Sequence, residues 1–110
     1  MIYHIVPRED WEAVLDAEDY RGDSLETEGF IHCSTREQLL GVANHWFPGI
    51  EDLLLLKIDP GKLEAQIKFE DGGEGQLFPH VYGPIEKRAV VALEEFPLGP
   101  DGRFEQVPNL

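Results

Sequence analysis

Cysteine occurs once, at Cys33, so no disulfide can form within the chain and a cross-linked or cysteine-rich metal framework is excluded. Basic residues are scarce too. Nine Lys and Arg stand against 22 Asp and Glu, a net charge of −13, and such a surface repels phosphate backbones and anionic lipid at long range. Neither nucleic acid nor a membrane is an expected partner. No apolar run approaches the roughly 20 residues that span a bilayer, and the chain opens on Tyr3 and His4 without the basic and apolar regions of a signal peptide. A cytoplasmic location is therefore expected. Repeats, linkers and low-complexity tracts are also lacking, so the 110 residues, 42% of them hydrophobic, read as one domain, 1–110, with a single core.

Residues 2–6 are β-branched and aromatic and end at Pro7, which predicts a first strand. Trp11, Val14 and Leu15 recur at helical spacing behind Glu9 and Asp10, which predicts a helix over 8–19. Residues 20–28 hold Gly22, Ser24 and several acids without period and read as a loop. After Gly29, Phe30 and Ile31 make a brief strand, and Ser34-Thr35-Arg36-Glu37 has the form of a capping box. The second helix that follows carries Leu39, Leu40, Ala43, Trp46 and Phe47 on one face and stops at Pro48-Gly49. The continuous run 53–58 reads as the most buried strand.

Ile67 and Phe69 alternate with Lys68 and Glu70, a half-exposed strand, before the glycine-rich loop Asp71-Gly72-Gly73-Glu74-Gly75. Pro79 and Pro84 lack donors, so residues 78–85 are expected at a sheet edge or rim. Residues 89–96 predict another strand, and 103–107 a final hairpin arm. This order predicts an α+β fold with one curved sheet, mixed or antiparallel, and two helices in the N-terminal half.

Chemistry concentrates in two stretches. In Gly29-Phe30-Ile31-His32-Cys33-Ser34-Thr35-Arg36 and Phe78-Pro79-His80-Val81-Tyr82-Gly83-Pro84-Ile85, polar groups sit among apolar residues at strand ends. Both are expected at one cleft. His4, His32 and His80 can each donate, accept or take up a proton near neutral pH. His80 and Tyr82 alternate and should share a wall of the pocket, offering a ring and a hydroxyl to a planar ligand. Glu70 is the acid best placed to join His80 as a general base or charge stabiliser. Ser34 and Thr35 cap the helix, whose N-terminus with Arg36 is the best local anion site of an acidic protein. Cys33 alternates with His32 and should face the core. Zinc held by the three histidines is the metal alternative; no H-x-x-x-H spacing supports it, and no metal is expected.

Taken together, Gly29-Phe30-Ile31-His32-x-Ser34-Thr35 and Phe78-Pro79-His80-x-Tyr82-Gly83-Pro84-Ile85 resemble the paired motifs of the domain of unknown function 952 family, bacterial and plant proteins without an established activity. The resemblance runs from Ile2 to Phe104. It implies a split-sheet fold grouped with the ADP-ribosyltransferases, and with it NAD or a related nucleotide as a substrate. By that resemblance Tyr3 or His4 would hold the ribose, and His32, Ser34 and Thr35 would shape the nicotinamide pocket. Glu94 and Glu95 lie on a late strand, adjacent rather than in the Glu-x-Glu spacing of many transferases, and the basic set of the RNA phosphotransferases is missing. Two functions follow as expectations: an ADP-ribosyltransferase-like enzyme or relic enzyme, or a non-catalytic module binding a small ligand or a protein.

Overall fold

A computed structural model describes residues 1–73 and 75–110. Along the chain run β1 (Ile2–Pro7), α1 (Arg8–Glu12), β2 (Asp19–Tyr20), α2 (Gly22–Glu28), β3 (Ile31–His32), α3 (Leu39–Trp46), β4 (Leu53–Ile58), β5 (Gln66–Asp71), β6 (Leu77–Tyr82), β7 (Ile85–Glu86) and β8 (Val90–Phe96). The strands divide into a β1-β4-β8 sheet, a β3-β6-β5 sheet and a β2-β7 pair. All pairings among the described residues are antiparallel, so the α+β class and the antiparallel alternative hold, while the one curved sheet expected is divided into three. The two larger sheets meet at one point, where Tyr3 and Ser34 exchange both backbone hydrogen bonds at 2.8 Å.

The run of leucines in β4 is continuous because this central strand is covered on both faces. Leu54, Leu56 and Ile58 face one cluster with Ile2, Val6, Ile31, Cys33 and Val81, which fills the space against the β3-β6-β5 sheet. Leu53 and Leu55 face a second cluster with Tyr3, Ile5, Phe96 and the inner residues of α3, Leu39 and Ala43. Two cores therefore flank one sheet where the composition suggested one. α3 follows the expected apolar spacing, although Trp46 is 67% exposed.

Among the described residues three short α-helices stand where two were expected. α1 ends after five residues and gives way to three-residue turns through Ala17, since Asp16, Glu18 and Asp19 would place negative charge at the negative end of a longer helix. The Lys87 ammonium closes this end by donating to the carbonyls of Val14 and Ala17 at 2.6 and 3.0 Å. α2 lies in the stretch read as a loop. Its clearest sequence signal is Gly29, which ends it in the left-handed conformation at φ 89°, where glycine carries no Cβ penalty.

β6 corrects the edge expectation most clearly, because it is the central strand between β3 and β5 despite Pro79. The Cys33 N–H donates to the Pro79 carbonyl at 3.1 Å, which is the half of that backbone pair that needs no proline donor. The missing half falls where β3 ends and the chain leaves to meet Tyr3, so no ladder bond is broken.

The hairpin arm over 103–107 does not form. Phe104 is buried there, 3% exposed, and Asn44 of α3 stands in for a strand, its amide donating to the Phe104 carbonyl at 2.9 Å and its oxygen accepting the Phe104 N–H at 2.8 Å. Asn44→Ala removes both partners of a part-buried peptide and should cost about 1–3 kcal/mol of unfolding free energy in urea denaturation. A change within error would show that water replaces the amide freely. Of the glycine-rich loop, Glu74 lies outside the described residues. Among the described residues no helix is long and apolar enough to cross a membrane.

Candidate functional site

His32 of the first motif and His80 and Tyr82 of the second meet on the outer face of the β3-β6-β5 sheet. Strand alternation sends Ile31, Cys33 and Val81 inward to the core and leaves His32, His80 and Tyr82 on the opposite side. His32 lies directly across from His80 in the register. The hydrogen bond from Cys33 to Pro79 marks the neighbouring pair as the bonded one, so His32 and His80 form the close, non-bonded type. Their ring centroids are 5.4 Å apart, edge to face. The two motifs thus approach one another, but on a sheet face rather than in the cleft expected for them.

β5 adds the acid. Glu70 lies diagonally from His80 across the β5-β6 ladder, and one of its oxygens, Oε1, accepts from both His80 Nδ1 at 2.9 Å and the Tyr82 hydroxyl at 2.5 Å. These two hydrogen bonds, Tyr82's the larger cause, hold the Glu70 carboxyl below its ordinary value. The same bond raises the Tyr82 hydroxyl, which remains a protonated donor. With Nδ1–H directed at a carboxylate, His80 presents Nε2 as its acceptor nitrogen, and among the described residues Nε2 has no hydrogen-bond partner. His32 also meets a carboxylate, but through the other nitrogen: its Nε2 is 3.0 Å from Glu28 Oε2, and its ring is exposed where His80 is buried.

His4 stands one layer behind. Its Nδ1–H donates to the His32 carbonyl at 2.6 Å, and its Nε2 accepts the Tyr20 hydroxyl at 3.1 Å, which fixes the neutral tautomer. Burial is the main cause that lowers its pKa from 6.5 to about 4. His4 therefore anchors the backbone of His32 and does not titrate near neutrality. Burial likewise raises the Cys33 thiol, and Cys33 faces the core as expected, away from both outer histidines.

The remaining residues expected at the site have structural positions. Tyr3 is buried in the second core, on the face of β1 opposite His4. Ser34 is buried and joins the two sheets through its backbone. The capping box is displaced by one residue from the Ser34–Glu37 reading: Thr35 is the cap, and Gln38 Oε1 accepts its N–H at 2.9 Å. Arg36 donates to the carbonyls of Pro108 and Leu110 at 3.2 and 3.3 Å, so its guanidinium binds the C-terminal tail. Glu94 and Glu95 are on β8, in the other sheet, and Glu95 accepts from Arg8 at 2.6 Å.

Residues the sequence reading passed over complete the cluster. The Phe30 ring lies flat on His80, centroids 4.1 Å apart and planes 18° from parallel, and touches His32 and Tyr82 at 4.8 and 5.3 Å. Its signal was present, since Phe30 and His32 alternate. Lys68 sits 4.8 Å from the Tyr82 ring centre, and its two-residue spacing from Glu70 placed it on the same face. Glu28 carried no such signal, because the turn at Gly29 brings it to His32.

A cleft of about 650 Å³ borders the cluster at Tyr82 and is otherwise lined by Glu18, Asp19, Glu64, Glu86 and Arg88 among others. A second, of about 450 Å³, lies by His45, Trp46 and Phe78. Neither is lined by His32, His80 or Glu70, so the chemistry and the open volume share only Tyr82. Among the described residues no group of three or more His, Cys, Asp or Glu is placed to hold a metal ion.

Residues 5–93 match the family model described as protein of unknown function (DUF952). No curated protein matches the chain. Among solved structures, the crystal structure of protein CC0527 from Caulobacter crescentus is similar, with 31% identity and a TM-score of 0.85 over 94% of this chain and 92% of that one. Its solution NMR structure is similar with 31% identity and a TM-score of 0.81, over 94% and 90%.

Proposed function

The chain belongs to the DUF952 family of proteins of unknown function, and from that premise we propose that the outer face of the β3-β6-β5 sheet is a small-molecule site lined by His32, His80 and Tyr82. In it His80 takes or returns a proton while Glu70 orients it. The observation that carries this reading is the sharing of one Glu70 oxygen between His80 Nδ1 and the Tyr82 hydroxyl. A buried imidazole held by a carboxylate at one nitrogen, with the other unpartnered, is the arrangement general base chemistry uses.

A nucleotide of the NAD type is the ligand suggested by the ADP-ribosyltransferase-like reading. It is supported by the division of the strands into two larger sheets and by the aromatic rings beside His80. The separation of Glu94 and Glu95 from the cluster favours the small-ligand module instead, unless Glu70 supplies the carboxylate that stabilises an oxocarbenium-like centre.

Calorimetric titration with NAD, ADP-ribose, nicotinamide and zinc, repeated on His80→Ala and Glu70→Gln, tests both. Binding of one organic ligand is expected to weaken by about tenfold or more in each variant, the effect of losing one hydrogen bond to a charged group. Release of nicotinamide from NAD assigns the transferase chemistry; binding without turnover assigns the module. No heat at millimolar concentration from any organic ligand would remove the site reading.

A further inference from the structure

Phe30 occupies a slot that does not suit it. Three side chains wall its ring, His80 face to face and His32 and Tyr82 tilted around it, and all three carry hydrogen-bonding groups. Among the described residues His80 Nε2 and His32 Nδ1 have no partners. A phenyl ring fills the space without a polar edge, whereas a heteroaromatic ring of similar size could stack on the same imidazole face and offer edge atoms to the hydrogen-bonding groups of the tilted side chains around it. His80 is only 5% exposed although it lies on the outer face of its sheet, because Phe30 lies over it.

The backbone permits the ring to leave. Phe30 stands between Gly29, the left-handed cap of α2, and Ile31, the first residue of β3. It belongs to neither element, so its side chain can turn outward without breaking a strand pairing.

Resting on the small-molecule reading of this face, we propose that Phe30 is a resident plug in a slot for a planar heteroaromatic ring and that the ligand displaces it to stack on His80. Tyr82, one wall of the slot, also lines the cleft of about 650 Å³, together with Glu18, Asp19, Glu64, Glu86 and one guanidinium, that of Arg88. Four carboxylates against one cation disfavour phosphate in that direction. The ligand is therefore a neutral or cationic ring compound, a base or nucleoside rather than a nucleotide.

Adenosine, nicotinamide and adenosine monophosphate serve as probes, followed by NMR of the aromatic and imidazole resonances. In the unaltered protein adenosine or nicotinamide shifts His32 and His80, and the Phe30 ring resonances move as the ring leaves the stack. Adenosine monophosphate binds at least about tenfold more weakly than adenosine, as unscreened like charge in a cleft implies. Phe30→Ala binds the neutral probes about tenfold more tightly, because no plug then competes with the open state.

Probe binding that shifts both histidines but leaves the Phe30 ring in place, with no gain in Phe30→Ala, makes Phe30 a fixed wall and overturns the plug alone. Should Phe30→Ala fail to fold, the Phe30 resonances of the unaltered protein decide the same question. Equal affinity for adenosine and its monophosphate overturns the ligand class. If no probe perturbs either histidine in any variant, the small-molecule reading falls and the plug falls with it.

Discussion

Replacing Leu55 with alanine is expected to remove about 2–5 kcal/mol of unfolding free energy, the range for a large-to-small change that leaves a cavity. The whole domain should hold only about 5–15 kcal/mol, so this one change can take a third or more of it. Leu55 is 0% exposed, lies on the central strand of its sheet, and packs in the cluster that also holds Leu39, Ala43 and Phe96. That cluster joins α3 and the C-terminal tail to the sheet, so neither can close onto a cavity without losing its other contacts. Urea unfolding measures the loss. Val91, 43% exposed on β8, is the control: Val91→Ala should change stability by no more than about 0.5 kcal/mol. If the two variants were equally stable, the second core would not carry the fold.

Acidification from pH 7 to 4 should cost about 3 kcal/mol through His4 alone. In the folded chain its pKa is lowered from 6.5 to about 4, first by burial and further by the neighbouring His32, while the hydrogen bond to the His32 carbonyl opposes the shift in part. Between those two values the unfolded chain binds a proton that the folded chain refuses. Stability is therefore complete above pH 6.5, falls as pH drops, and levels off below about 4.

His4→Asn isolates the effect. It keeps a donor for the His32 carbonyl, loses the acceptor for the Tyr20 hydroxyl and cannot titrate. The variant should be less stable at pH 7, and the gap between the two proteins should narrow or reverse by pH 4. The difference cancels other carboxylates and the general easing of the −13 charge. A constant gap from pH 7 to 4 would mean that His4 is solvated well enough to charge in place.

These two predictions separate what local pattern reveals from what it hides. The run of leucines in β4 announced burial on both faces, and alternation correctly sent Cys33 inward and set His80 beside Tyr82. Other features depended on partners distant in the chain. Proline in β6 argued for an edge, yet the strand is central because β3 stops where the proline donor would be needed. Acidic residues without period argued for a loop, yet α2 forms between two glycines and packs only Leu25 against the core. Ser34 and Arg36 carried the expected chemistry for a site, but the Tyr3 bridge and the tail carbonyls engage them.

By itself the sequence determined the family, through two motifs that stand whole. It also determined the α+β class, through apolar runs and helical spacing, and the pairing of His80 with Tyr82, through the two-residue period of a strand. Those are properties of consecutive residues. The tertiary structure decided which oxygen holds His80, that His32 faces His80 across a non-bonded pair, and that Phe30 covers His80. Strand register and ring stacking are set by residues tens of positions apart, and the energy that fixes them comes from burying two cores at once, which no short stretch of the chain specifies.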